Sequence, residues 1–500
     1  MPKLDITIDK WLPDFLPFAM PKGGLTICKN LIPLDDGKFI IMPSQIAYSS
    51  NAMTGTPLSG EEFYADDSVY YAFIGTTTGL WRIGPGNTLT DVTRTSGAYT
   101  TNGNRWYFAK YGNWVIATNF NDEVQVIKGM DTAANFEPLV TTETIKAKYV
   151  VSNHGYILLG YVIKDGVTYP NGVLQSKKDM VTDFSSVPGT DLTNLEECTS
   201  AISGMTSFEF ASAGYDSNIA IFHKNSISVA WYTGSPFDFS FDHNRYLSTG
   251  AITGTPVMVE GVCYCFDEKT FYRWDGINKP EDIGLGIREY ILSSLDISSH
   301  YKITAASHPR MGLAIWSFVS NNGYGTPDFL LILNVRNGKF SLVKTQQYCV
   351  FSIHRNAWTY NQLGDFFPTY NDIPYPWNSN YWSDTSSTFA CIGADLKVNV
   401  FQGQAMDWEI ETGEFFTPEK EIIRANRAYP MIQKRAGDIT VSFGTRMEKT
   451  DAVNYRSSII RSNGYVDLIK TGRFLRAKMT GSSMDGLTGI DIEGQVIGRH

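Results

Sequence analysis

The sequence predicts an all-β protein: a β-propeller of about six to seven blades, with an extended N-terminal arm and a small C-terminal β-sandwich-like platform domain. Three observations carry this. One device recurs at roughly 40–60 residues between Tyr70 and Phe401: a short apolar strand, a polar turn, then a second apolar strand. Strands such as Val69–Ile74 are apolar on both faces, as strands sandwiched between neighbouring sheets must be. Aromatic residues form 13% of the chain and charged residues only 19%, a balance that favours strands rich in ring contacts.

Taken in order, residues 1–60 read as the extended arm of the platform. Pro13, Pro17, Pro21, Pro33, Pro43 and Pro57 break any helix, and Gly23-Gly24 and Asp35-Asp36-Gly37 signal turns. The apolar pieces Leu25–Cys28 and Phe39–Met42 are suited to adding strands to a neighbouring sheet. Residues 61–405 form the propeller. Its clearest hairpins are Val69–Gly75 with Gly79–Ile83, Trp114–Thr118 with Glu123–Lys128, and Ile219–His223 with Ser226–Trp231. Val262–Phe266 with Thr270–Trp274 and Phe389–Gly393 with Lys397–Phe401 follow the same plan, and looser copies sit at Tyr156–Ile163 and Leu313–Asn334. One helix is predicted over Ile287–Leu295, from the apolar stripe Ile287, Tyr290, Ile291, Leu295. The pattern breaks at an aromatic loop insertion over 355–385, and long loops in compact proteins are usually functional. Residues 406–500 form the C-terminal β domain of the platform, with short alternating strands at Ile439–Phe443, Gly464–Val466 and Phe474–Met479.

The net charge of −9 argues against a protein that grips nucleic acid by neutralising phosphates, which needs clustered Lys and Arg. It allows a channel through which DNA slides without sticking. Six cysteines are too sparse for a disulfide framework. The start Met1-Pro2-Lys3-Leu4-Asp5 lacks the basic and apolar stretches of an export signal. The longest apolar run, Tyr156–Ile163, is far too short to span a bilayer, so synthesis in a cytosol without membrane insertion is expected.

Chemistry is hard to find, and no enzymatic activity, metal or cofactor is predicted. Cys263 and Cys265 face one side of a strand without a second ligand pair, and read as buried apolar thiols. Glu409, Glu411 and Glu414 alternate as the paired carboxylates of propeller glycosidases would. In a chain with 51 acids that spacing carries little weight. The densest basic cluster holds Arg424, Arg427, Lys434 and Arg435; it is a candidate DNA or subunit contact, with a solvated face as the plainer reading because acids are mixed in. In the aromatic loop, Trp358, Tyr375, Trp377, Tyr381 and Trp382 are candidate interface or tip residues, since aromatics are enriched in interface cores; a sugar-stacking platform is the alternative.

Several scattered motifs add a resemblance. The opening Trp11-Leu12-Pro13-Asp14-Phe15-Leu16-Pro17, then Asn30-Leu31-Ile32-Pro33, Gly37 and Pro43, resembles the start of a group of short-tailed bacteriophage virion proteins. Gly79-Leu80-Trp81-Arg82, Asp91-Val92-Thr93-Arg94 and Trp106–Asn113 are similar to their next segment, and Ile283-Gly284 with Ile287-Arg288-Glu289-Tyr290 to their short helix. Gly472–Arg476, Ile490–Gly494 and Gly498-Arg499-His500 match their ending. The family is the podoviral tail nozzle or hub, also called packaged-DNA stabilisation protein. The resemblance implies a structural virion protein, made in the host cytoplasm, that forms a homohexameric ring below the portal and adaptor. Tail fibres, spikes or a needle would attach to it. Genomic DNA would pass through the ring's lumen without specific binding and be retained there until ejection. It brings no catalytic residues. The alternatives are a carbohydrate-binding adhesin for receptor recognition and, with less support, a propeller glycan hydrolase.

Overall fold

The computed structural model describes residues 3–185, 192–208, 218–234, 238–354, 369, 387–417, 419, 421–433, 438–461 and 463–498. Strands dominate, and the single α-helix among the described residues is Arg288–Ser294, within one residue at each end of the predicted span.

Six separate four-stranded antiparallel sheets follow one another along the chain, and a further group of four forms the start of a larger sheet. We number these units one to seven. Their innermost strands are Pro57–Tyr64, Tyr107–Tyr111, Ile145–Asn153, Ile202–Phe208, Val257–Val259, Thr304–His308 and Val350–His354. Each predicted hairpin is the middle pair of one unit: Trp114–Thr118 with Gln125–Lys128, for example, or Leu313–Phe318 with Phe329–Asn334.

Alternation along these middle strands explains the ring. Ile219 and Ile221 pack toward the third unit with Leu158 and Val173, while Ala220 and Phe222 pack toward the fifth with Cys263 and Trp274. The same division repeats around the array, so that each apolar cluster joins two neighbours. A last cluster joins Phe351, Ile392 and Val400 of unit seven to Ile74, Trp81 and Leu89 of unit one. The array therefore closes on itself as a propeller. Tryptophans fasten some of the seams: Trp106 Nε1 donates to the Thr76 carbonyl at 2.9 Å, and Trp316 Nε1 to that of Thr255 at 2.7 Å. Gly75 makes room for the first, since a Cβ there would lie 2.1 Å from Trp106 Cδ1.

The N-terminal segment divides between two destinations. Pro43–Ala47 supplies the outer strand of unit seven, with Ile46 opposite Val400 and Gln45 opposite Phe401. Pro57–Tyr64 already belongs to unit one. Leu25–Lys29 pairs in parallel with Lys339–Lys344, the outer strand of unit six, and antiparallel with Trp408–Thr412. Phe474–Gly481, Ile439–Arg446 and Asn454–Ile459 continue outward, making one nine-stranded sheet that begins at the propeller's sixth unit. A second, six-stranded sheet combines Lys3–Thr7, Leu31–Pro33 and Phe39–Ile41 with Ile422–Ile432, Val466–Gly472 and Leu487–Gly498. Residues of both sheets, among them Trp408, Phe443, Met479, Leu487 and Ile490, share one core with units five and six.

Candidate functional site

The inner strands of all seven units wall a central cavity of about 600 Å³. They do not form a ladder with one another, so hydroxyls and amides link them. Ser352 Oγ donates to the Ser307 carbonyl at 2.8 Å, Ser59 Oγ to that of Trp106 at 2.7 Å, and Asn153 Nδ2 to Ser207 Oγ at 2.7 Å. Two acids face this space from unit one. Glu61 is exposed to the cavity yet surrounded by the ring, and the resulting loss of solvation pushes its carboxyl up to about 8. Glu62 is raised by burial too, although three hydrogen bonds from His354 pull the other way: the backbone N–H donates to Oε1 at 2.7 Å and Oε2 at 2.8 Å, and Nδ1 lies 2.6 Å from Oε2. Tyr70 stacks on the His354 ring at 3.8 Å. This assembly holds the C-terminal ends of the inner strands of units one and seven together.

At the end where the inner strands begin, a second cavity of about 310 Å³ opens between units two to six. Arg105 and Lys148 line it, with Lys224 and Glu268 on hairpin turns. Neither residue was singled out by the sequence; they come from different units, and only the ring brings them together.

The carboxylates Glu409 and Glu411 lie away from the axis, on Trp408–Thr412 of the nine-stranded sheet, and Glu414 follows two residues beyond that strand. Glu414 is held by Arg446 and Arg476, each at 2.7 Å, and Glu411 by Arg476 at 3.1 Å and the Tyr455 hydroxyl. Burial and the Glu411 carboxylate push the Tyr455 hydroxyl up to about 12. Lys478 pairs with Glu409. These are charges satisfied by guanidinium and ammonium groups within the sheet, and the spacing that mimicked a glycosidase pair serves strand cohesion.

Of the basic cluster, Arg424 and Arg427 lie on Ile422–Ile432 in the six-stranded sheet. Arg427 is bound within the chain, to Asp467 at 2.7 Å and against the Tyr465 ring at 5.0 Å. Lys434 and Arg435 lie outside the described residues, as do Trp358, Tyr375, Trp377, Tyr381 and Trp382 of the aromatic loop. Cys263 and Cys265 are buried beside Phe222 and Trp274, as apolar thiols.

A contact between two of the family-like motifs was not legible in either alone. Asp14, from the Trp11–Pro17 motif, accepts from the N–H groups of Glu289 at 3.0 Å and Tyr290 at 2.7 Å. It thus caps a helix whose own N-cap residue, Ile287, has no side chain able to do so. Trp11 meets Tyr290 edge-on at 5.4 Å.

No protein-family model and no curated protein matches the sequence. Among solved structures, YCF48 bound to a D1 peptide is similar at 11% identity with a TM-score of 0.36, over 64% of this chain and 92% of that one. A computationally designed protein, Ika8, is similar at 9% identity with a TM-score of 0.35, over 72% of this chain and 99% of the design.

Proposed function

We propose that the chain is a structural subunit of a short-tailed phage tail, a nozzle or hub protomer whose role is assembly rather than turnover. In this reading the seven units are seven propeller blades, and the two sheets built from both ends of the chain are the platform, with residues 406–500 as its C-terminal part. The observation that carries it is the continuous nine-stranded sheet: platform and blade share backbone hydrogen bonds, so a ring built through the platform would hold every propeller at a fixed angle.

The central cavity, at about 600 Å³, is of small-ligand size. A conduit for duplex DNA would therefore lie between subunits and not along the propeller axis. A net charge of −9 suits a wall that DNA passes without sticking. Six copies would close head to tail through heterologous contacts, each burying well over ~1,500 Å². The partners implied are the portal–adaptor complex above and fibres, spikes or a needle attached to the ring, in a virion assembled in the host cytoplasm.

Electron micrographs of the purified protein, alone and mixed with a tail adaptor complex, test this. Sixfold rings are the expected result. Particles that stay monomeric in both samples overturn it.

A further inference from the structure

In a chain of net charge −9, the cavity of about 310 Å³ beside the propeller axis is lined by Arg105, Lys148 and Lys224 against one carboxylate, Glu268. Arg105 and Lys148 both face it; burial holds the Lys148 ammonium below its usual range, and the Arg105 guanidinium is close enough to add to that effect. Arg105 gives one N–H to the Ile303 carbonyl, while its Nε is buried with no acceptor. Among the described residues no carboxylate pairs with either cation. The acid among the lining residues, Glu268, is engaged by Lys224 at 2.9 Å. Burial lowers the His300 imidazole from its ordinary value, and its neutral form can still donate a hydrogen bond. Asn104 and Ser203 add polar groups to the wall.

Two adjacent, partly desolvated cations without a counter-ion are costly unless an anion joins them. The donors converge on a space of small-ligand size, opened by loops from several units, as binding sites in ring-like folds commonly are. We propose that this pocket binds a multivalent oxyanion of the phosphate class, held between Arg105 and Lys148 with Lys224 at the rim. A mixed wall of guanidinium and ammonium suits a tetrahedral dianion better than a carboxylate, because it offers charge from several directions and not one flat fork. The assignment is independent of the tail-subunit reading and survives if that reading fails.

Titration calorimetry on the full chain with pyrophosphate, against chloride at matched ionic strength, tests it. Saturable one-to-one binding is expected for the wild type. Lys148→Gln should weaken it about tenfold, the loss of one charge-assisted contact, whereas Lys148→Arg should retain most of it. Melting curves check that each variant is folded. Should Lys148→Gln melt early, Lys224→Gln on the exposed turn provides the second reading, with a smaller loss. Absence of saturable heat, or wild-type affinity in both Gln variants, overturns the proposal. Competition with a single-stranded oligonucleotide then identifies the source. Displacement that requires a 5′-phosphate points to a nucleic-acid end and absence of displacement to a free small phosphate, both consistent with the assignment. Equal displacement with and without the 5′-phosphate would reduce the pocket to nonspecific surface attraction and overturn it.

Discussion

Asp14 shows how much one side chain can decide. The helix Arg288–Ser294 is only two turns long, too short to persist without tertiary support. Its first N–H groups are satisfied by a carboxylate from the far N-terminal segment. Asp14→Ala should cost about 1–2 kcal/mol, seen as a lower melting temperature and as faster amide exchange at Glu289 and Tyr290. Glu61 makes a different residue-scale case. Its carboxyl is raised from 4.5 to about 8 in the folded chain by lost solvation. Between those values the folded state holds a proton that the unfolded state has released, so stability falls as pH rises through this window. Glu61→Gln removes that slope. Because Glu61 keeps solvent contact in the cavity, only a fraction of that shift reaches stability. The variant should melt like wild type near pH 4 and about 1–2 °C higher at pH 8.5, and identical pH profiles would show that the cavity solvates Glu61 as bulk water does. Neither role could be read from sequence: an acid three residues before a proline, or in a polar strand, has no local mark of its partner.

Among the elements, those legible in sequence were the ones buried on both faces. The pattern of Asn218–His223, fully buried along its length, needs no tertiary knowledge to be recognised as a sandwiched strand. The inner strand Pro57–Tyr64 was missed because its unpaired edge lines the cavity, which admits Glu61 and Glu62 into a stretch that then reads as loop. Outer strands such as Glu137–Pro138 and Glu281–Asp282 were missed because they are two residues long and polar. In the nine-stranded sheet, Glu411, Glu414, Arg446 and Arg476 tie together strands that are distant in sequence. Removing one partner strands the buried charges of the others. Arg476→Met should therefore destabilise by about 3 kcal/mol, measured as a shift in the denaturation midpoint. Pairing it with Glu411→Gln should recover part of that loss, which a purely steric effect would not allow.

At the scale of the whole molecule, the sequence yields a repeating array and conceals how the array is closed. Seven hairpins are visible, yet the strand that completes the seventh unit comes from Pro43–Ala47, inside a proline-rich stretch that looks like a tail. The candidate site was less legible still, since Arg105 and Lys148 become neighbours only through the circular arrangement. Closure can be tested directly. Ile46 and Val400 lie opposite each other in the register, so Ile46→Cys with Val400→Cys should form a disulfide under mild oxidation and raise the melting temperature by the equivalent of about 2–4 kcal/mol. Failure of the pair to cross-link would mean that the register differs.

That distant pairing also sets an order of events during synthesis. The strand at Pro43–Ala47 leaves the ribosome roughly 350 residues before its partner Val398–Ala405. At about 5–20 residues per second, the interval is roughly 20–70 s. Throughout it, a nascent chain carries an unsealed seam and a sticky backbone edge. Brevity and a leading proline make that edge a poor template for wrong partners, and the latch engages only when almost everything it must hold has been made.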